Sequence, residues 1–244
     1  MGKKTDKLTK YELLKQHPQL APYLPHTQVL NYKSYRRLLK SYSIVVIKPT
    51  KGRRGNGVLK VSSLPEGGYE IHVGQSTTVK EGLRQSYDYL VDHVLKDKKV
   101  YIVQQYIHLQ KINGSPFDVR VMVQRKKKSS KWVVTGIAVK VAAKKYFITN
   151  VASDVLSLED AYVKLNVSTK NRLLIQHLMS QISLTTASYL RPHYPKRRRL
   201  GLDIGIDEKG NLWIIEVNTR GTILMFQYLR DHEVISRIKE YKDG

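Results

Sequence analysis

Residues 43–61 read Ser-Ile-Val-Val-Ile-Lys-Pro-Thr-Lys-Gly-Arg-Arg-Gly-Asn-Gly-Val-Leu-Lys-Val. An apolar strand ends in Lys48, a loop carrying Gly52, Gly55, Asn56 and Gly57 follows, and the chain returns as a second apolar run. Glycines let backbone N–H groups come close to phosphate oxygens, and a lysine adds a point charge, so the segment reads as a clamp for a nucleoside triphosphate. It also has the composition of a surface turn in a basic protein. The commonest phosphate loops are excluded. Gly52 and Gly57 have the Walker spacing, but Val58 and Leu59 stand where Lys and Ser/Thr are required. A dinucleotide-binding fingerprint needs a helix after the glycines. A protein kinase places its lysine after the loop and carries HRD and DFG motifs, which this sequence lacks.

Charge narrows the partners. Lys and Arg number 43 against 20 Asp and Glu, a formal net charge of +23 over 244 residues. Such a field favours nucleotides, nucleic acid, acidic polymers or phospholipid. No apolar run approaches the roughly 18 residues of a membrane span. The N-terminus lacks the apolar segment of a signal peptide. There is no cysteine, which removes disulfides, thiolate metal sites and thiol nucleophiles and fits a cytoplasmic protein.

Hydrophobic periodicity predicts helices over 7–17, 31–41, 80–96, 168–190 and 223–240. Strands are expected over 43–49, 57–62, 68–73, 100–106, 117–124, 131–142, 201–207 and 212–218. Strands and helices mix without strict βαβ alternation, so the expected class is α+β with antiparallel sheets.

In so acid-poor a chain, a carboxylate inside an apolar strand is conspicuous. The run 212–218 is Leu-Trp-Ile-Ile-Glu-Val-Asn, and a period of two puts Glu216 and Asn218 on one face. Asp203 interrupts the apolar run 201–206. Buried carboxylates need a cation. Two carboxylates and an amide are hard oxygen donors suited to Mg²⁺ on a nucleotide's phosphates; neutralisation by Lys or Arg is the alternative. The eight histidines are scattered without metal-binding spacing. Gln104, Gln105, Tyr106 and Ile107 end an apolar strand with groups that could meet a purine edge and a ribose. Asp118 and Arg120 share a face, where Arg120 could reach phosphate or pair with Asp118. Lys140 lies in an apolar strand, where a lone ammonium wants an anion. Asn150 and Arg220 follow strand ends, where functional side chains often sit.

In this order the residues resemble the ATP-grasp superfamily: Lys48, the glycine loop, a Gln-Gln-Tyr-Ile hinge at 104–107, Asp-Val-Arg at 118–120, Lys140 with Asn150, Asp203 in Gly-Leu-Asp-Ile, and Glu-Val-Asn at 216–218. Leu24-Pro25-His26-Thr27, the Lys48-Pro49 pair and Glu-Val-Asn-Thr-Arg-Gly at 216–221 look most like its YheC/YheD branch, described as endospore coat-associated. The likeness covers roughly residues 20–230.

The resemblance implies an ATP-grasp fold of two α+β lobes whose antiparallel sheets clamp the nucleotide. Residues 1–41 lead into the core, 42–106 form the small lobe and 107–244 the large lobe. It implies ATP and one or two Mg²⁺ ions, for which Mn²⁺ can substitute. Lys48, Gly52, Gly55, Asn56 and Gly57 would hold phosphates. Gln104, Gln105, Tyr106, Ile107 and Asp118 would complete the nucleotide site. Asp203, Glu216 and Asn218 would bind metal, and Arg120, Lys140, Asn150 and Arg220 would serve catalysis near the γ-phosphate and acceptor. The implied reaction is carboxylate–amine ligation through an acyl-phosphate with release of ADP. Positioning and charge neutralisation dominate such chemistry.

Three departures are evident. Gln105 stands where the family usually has an acid, Lys140 where Arg is common, and only a short lead-in replaces the usual N-terminal α/β domain. The competing class is a basic nucleic-acid- or polyanion-binding module, or a structural spore-layer protein, with a vestigial nucleotide site. Its support is the basic runs at 125–128 and 196–199, which also make a polyanionic acceptor the expected partner. The carboxylate and amine substrates and the oligomeric state are not encoded in these motifs. Location is expected to be cytoplasmic with spore association.

Overall fold

The structure is a computed structural model that describes residues 6–52, 55–95, 99–144, 146–149, 151–229 and 231–243. A first α+β unit holds β1 (Thr27–Val29), α2 (Tyr32–Tyr42), β2 (Ile44–Pro49), β3 (Leu59–Ser63), β4 (Tyr69–Val73), β5 (Ser76–Lys80), α3 (Leu83–Tyr89) and β6 (Tyr101–Gln105). It is preceded by α1 (Lys7–Lys15). The second unit holds β7 (Lys111–Ile112), β8 (Ser115–Gln124), β9 (Val133–Ala142), β10 (Ala152–Leu156), α4 (Leu158–Lys164), α5 (Thr169–Leu190), β11 (Arg199–Ile206), β12 (Leu212–Asn218) and α6 (His232–Asp243).

Each unit is an antiparallel sheet; helices cover one face of the first, while the second has α5 on one face and α6 over part of the other. The first sheet runs β1-β6-β2-β3-β4-β5. The second runs β10-β9-β8-β11-β12, with β7 beside β8. Alternation along the strands decides which face is which. In the first sheet Val45, Ile47, Leu59, Val61 and Val103 pack against Tyr35, Leu38 and Leu39 of α2. Helix α2 starts at an Asn31–Ser34 capping box, which satisfies two otherwise orphaned amides. Its Tyr35 hydroxyl lies 2.7 Å from Ser86 Oγ of α3. The opposite face is polar. Register pairs Lys48 with Ile102, and Val46 with both Gln104 and Lys60, so these five side chains share it.

The second sheet repeats the plan. Phe117, Val119, Val121, Leu202 and Ile204 bury themselves with Met179 and Ile182 of α5. The other face carries Asp118, Arg120 and Asp203 at one end. At the far end Met122 and Ala138 are capped by Phe226, Leu229 and Ile238. The two polar faces meet across a cleft. Its closed end is a hinge, where Gln110 N–H donates to Ile206 O at 2.9 Å and Glu208 N–H to His108 O at 3.0 Å. The β2–β3 hairpin and the β12 terminus lie at the opposite, open end.

Helix α1 straddles the open end. Its Lys7 N–H donates to Thr50 O at 3.0 Å, while Lys10 Nζ donates to Val217 O of β12. Tyr11 Oη accepts from Thr27 N–H at 3.2 Å.

The structure departs from the predicted elements at the margins. Ser76–Lys80 is a strand before a shorter helix, which widens into a π turn over Leu90–Val94. The expected last helix is a 3₁₀ turn at Leu224–Tyr228 followed by α6. Of the unpredicted strands, β7 is two residues long, and β1, β5 and β10 are short edges with few buried side chains, so they carry no clear alternation. No helix among the described residues is long and apolar enough to cross a membrane.

Candidate functional site

The hairpin that joins β2 to β3 is built as its sequence requires. Gly55 and Gly57 take φ of 72° and 76°, the left-handed region that other residues adopt at a cost, and Val58 N–H closes the turn on Gly55 O at 3.1 Å. Asn56 is exposed at the tip, and Gly52 O accepts from Lys7 Nζ at 3.2 Å.

Just before the hairpin, Lys48 is 7% exposed. Its Nζ donates to Gln104 Oε1 at 2.8 Å and reaches across the cleft to Ile215 O at 3.5 Å. Gln104 Nε2 in turn donates to Thr27 Oγ1 at 2.6 Å. Burial pulls the Lys48 pKa down to about 8, with Glu216 opposing and Lys7 and Lys10 adding to the fall. Lys10 is lowered for the same leading reason. Three ammonium groups therefore lie around Glu216: Lys7 pairs with it at 3.5 Å, and among the described residues Lys10 and Lys48 donate to neutral acceptors while Glu216 and the more distant Asp203 act on both through space. The cavity they line is about 40 Å³, room for a few waters.

The facing sheet presents a denser network. Arg120 makes a two-pronged pair with Asp203, Nε to Oδ1 at 2.7 Å and Nη2 to Oδ2 at 3.0 Å. Lys140 Nζ sits 3.0 Å from Asp118 Oδ1 and 3.1 Å from Asp203 Oδ1. Thr149 Oγ1 donates to Asp118 Oδ2. Register dictates the meeting, because Asp203 pairs with Arg120 on one side and Glu216 on the other, while Asp118 pairs with Lys140. Burial works against the Asp203 carboxylate, but Arg120 and Lys140 outweigh it and hold its pKa at about 2. Burial leaves Asp118 above the usual carboxylate range, despite Lys140. Asn218 Nδ2 reaches Asp203 Oδ2 at 3.5 Å.

The structure thus gathers Lys48, Gln104, Asp118, Arg120, Lys140, Asp203, Glu216 and Asn218 in one cleft. Gln105 goes elsewhere: its Oε1 accepts from His26 N–H at 3.2 Å, on the face opposite Gln104. Arg220 is exposed in the turn after β12. Asn150 lies outside the described residues. Ile107 is buried at the hinge, and Tyr106 borders a second hollow of about 210 Å³ with His72, Lys111, Phe147 and Glu208. Lys60 Nζ bridges the lobes there, 5.9 Å from the Tyr106 ring centroid and 5.8 Å from that of Phe147. Lys7, Lys10 and Thr149 belong to no motif in the sequence, and Thr27 enters one only through Leu24-Pro25-His26-Thr27. The i, i+3 spacing of Lys7 and Lys10 on one helical face was the available signal.

This architecture is the ATP-grasp fold. Two solved structures share it: N5-carboxyaminoimidazole ribonucleotide synthetase from Thermotoga maritima, and an ADP complex of purK, the same synthetase. The first aligns with a TM-score of 0.50 at 12% identity, covering 96% of this chain and 47% of the other. The second aligns at 0.54 and 14%, covering 91% and 46%. The chain belongs to the YheC/D like ATP-grasp family, whose profile matches residues 2–242. Two curated relatives are endospore coat-associated proteins of Bacillus subtilis (strain 168). YheD is 27% identical over 238 residues, 94% of this chain and 51% of its own length. YheC is 27% identical over 223 residues, 88% and 59%. The chain spans little more than half the length of these relatives.

Removing one partner of a buried pair strands the other charge. Arg120→Met is expected to lower the unfolding free energy by about 3–5 kcal/mol in denaturant titrations. A loss below about 1 kcal/mol would mean that Lys140 alone neutralises Asp203.

Proposed function

We propose that the cleft binds ATP with Mg²⁺ and that the protein is an ADP-forming carboxylate–amine ligase. The observation that carries this reading is the surplus of cations at the open end of the cleft. Lys7, Lys10 and Lys48 crowd around Glu216 beneath a glycine hairpin, with the nearby Asp203 already held by Arg120 and Lys140, at an energetic cost that a polyphosphate would relieve. The fold shared with the solved synthetases, one of them an ADP complex, supports the same reading.

Lys48 and the hairpin amides, with Lys7 and Lys10 alongside, would hold the phosphates. Gln104 and the hinge backbone through Ile107 would receive the base, with Asp118 near the ribose. Asp203, Glu216 and Asn218 fit Mg²⁺ by donor chemistry, being hard oxygen ligands on adjacent strands. Mg²⁺ bound there would neutralise phosphate charge. Arg120 and Lys140 fix Asp203 and face the place where the γ-phosphate and acceptor would lie; Asn150 and Arg220 complete the proposed catalytic set. A cavity of about 40 Å³ is far below the roughly 300–1,000 Å³ of ligand pockets, so binding requires the lobes to part. That opening separates Lys48 from Ile215 and Lys7 from Glu216.

The second reading is a polyanion-binding or spore-layer protein whose nucleotide site is vestigial. Spore association is proposed from the relatives' names. One observation favours this second reading: Asp203 is already neutralised by Arg120 and Lys140.

In the closed cleft burial pulls Lys48 down to about 8, and phosphate beside it would raise that value. ATP binding should therefore take up a proton above about pH 8, and affinity should fall as pH rises further, by at most about tenfold per unit. Calorimetry in buffers of different ionisation enthalpy reads this directly. Lys48→Met should abolish the proton uptake and weaken ATP by at least about tenfold, on the order of 1.4 kcal/mol. Affinity unchanged between pH 7 and 9.5, in wild type and variant alike, would remove Lys48 from the site.

The ligase assignment makes a separate demand. With a productive acceptor the products should be ADP and phosphate, and hydroxylamine should trap the activated carboxylate as a hydroxamate. Pyrophosphate release would place the reaction in another class.

A further inference from the structure

The two basic runs noted in the sequence become one surface. Arg125, at the end of β8, is the tie between them. Its N–H donates to Arg198 O at 2.9 Å, its Nη2 to Pro195 O at 2.8 Å, and its Nη1 to Ser129 O at 2.9 Å. A single guanidinium thus joins the β8–β9 turn to a loop 70 residues away in sequence. Arg125 lies over the buried Trp132 ring, 5.5 Å from its centroid, which fixes the tie from below.

Lys127, Lys128 and Lys131 are exposed on one side of this junction, and Arg191 and Lys196 on the other, with Arg197 half-buried between. Neither 125–131 nor 191–199 contains an acidic residue, and Glu240 of α6 neutralises Lys126 alone at the edge of the face. Free loops of like charge would splay apart in water. Here folding holds them together, so the face presents a concentrated positive field before any partner arrives. Burial, then the neighbouring Arg191 and Arg198, push the Arg125 guanidinium down from its ordinary value.

The position of the face matters as much as its charge. Arg199 pairs with Gln124 at the end of the second sheet farthest from the hinge. It is four residues from Asp203 along β11, a rise of about 13 Å. A chain docked on this face would extend over that distance, past the Phe226 and Ile238 cap, to reach the cleft.

We propose that this face docks an acidic polypeptide, whose Asp and Glu carboxylates it gathers at the mouth of the cleft as the acceptor. The chemistry selects this partner over single-stranded nucleic acid. Nucleic-acid grooves combine cations with exposed rings that stack on bases. The rings beneath Arg125, Trp132 and Tyr194, are buried, and the half-buried Tyr241 is covered by Lys126, 5.1 Å from its centroid. Docking stands on the face alone; the acceptor role rests on the ligase reading.

The test uses fluorescein-labelled poly-L-glutamate and fluorescence anisotropy, without nucleotide. Binding should weaken at least about tenfold between about 50 and 200 mM salt, as exposed charges are screened. The combined Lys127→Glu, Lys128→Glu, Arg197→Glu variant should bind at least about tenfold more weakly at the lower salt. Its melting temperature and ATP affinity should match the wild type. Equal binding of poly-L-glutamate by variant and wild type would overturn the proposal. So would a labelled oligo(dT) of equal charge binding about tenfold more tightly, which would make the face a nucleic-acid surface. Loss of ATP binding in the wild type strikes the ligase reading and leaves the docking result intact.

Discussion

A carboxylate in the middle of a buried sheet must be matched by a cation, and Asp203 is matched twice. Its pairs with Arg120 and Lys140 join three adjacent strands, β9, β8 and β11, on their polar face. That face can stay polar only because the opposite one is closed by Phe117, Val119, Val121, Leu202 and Ile204 against α5. The network fixes the floor of the cleft and leaves Glu216, with 25% of its side chain exposed, and Asn218 beside it at the more open edge. The first sheet supplies the roof, with Lys48 as the group that reaches across. The site depends on two sheets having the same sidedness, hydrocarbon toward the helices and charge toward each other.

Much of this was legible in the sequence. The β2–β3 hairpin declared itself because glycine is required at two left-handed positions between apolar runs. Asp203, Glu216 and Asn218 stood out because acids are scarce and strand period fixes their faces. Arg120 was ambiguous between phosphate and an acid. The structure pairs it with Asp203, 83 residues away in sequence, rather than with its neighbour Asp118. Gln105 was grouped with Gln104 by proximity, yet a period of two turns it to the other face, where His26 meets it. Lys7 and Lys10 were hidden in a lysine-rich N-terminus that resembles any solvated helix. Only tertiary placement shows that both point into the cleft. The edge strands β5 and β10 were unreadable because they bury little.

Closure and charge are coupled in this arrangement. With the lobes together, Lys7, Lys10 and Lys48 find partners in Glu216 and in the carbonyls of Val217, Ile215 and Gly52. Those partners are weak for three ammonium groups, and burial, with the neighbouring lysines adding to it, lowers the pKa of Lys48 and Lys10. The same contacts that hold the cleft shut are therefore the ones an anion would replace. Helix α1, tied to both the hairpin and β12, is placed to move with that exchange.

The most direct measurement is a calorimetric titration of ATP with and without Mg²⁺, on the wild type and on Glu216→Gln. Metal held by Asp203, Glu216 and Asn218 predicts clear strengthening of ATP binding by Mg²⁺ in the wild type and little or none in the variant, with the fold intact. Binding that ignores Mg²⁺ in both proteins, or an undiminished Mg²⁺ effect in the variant, would contradict the account.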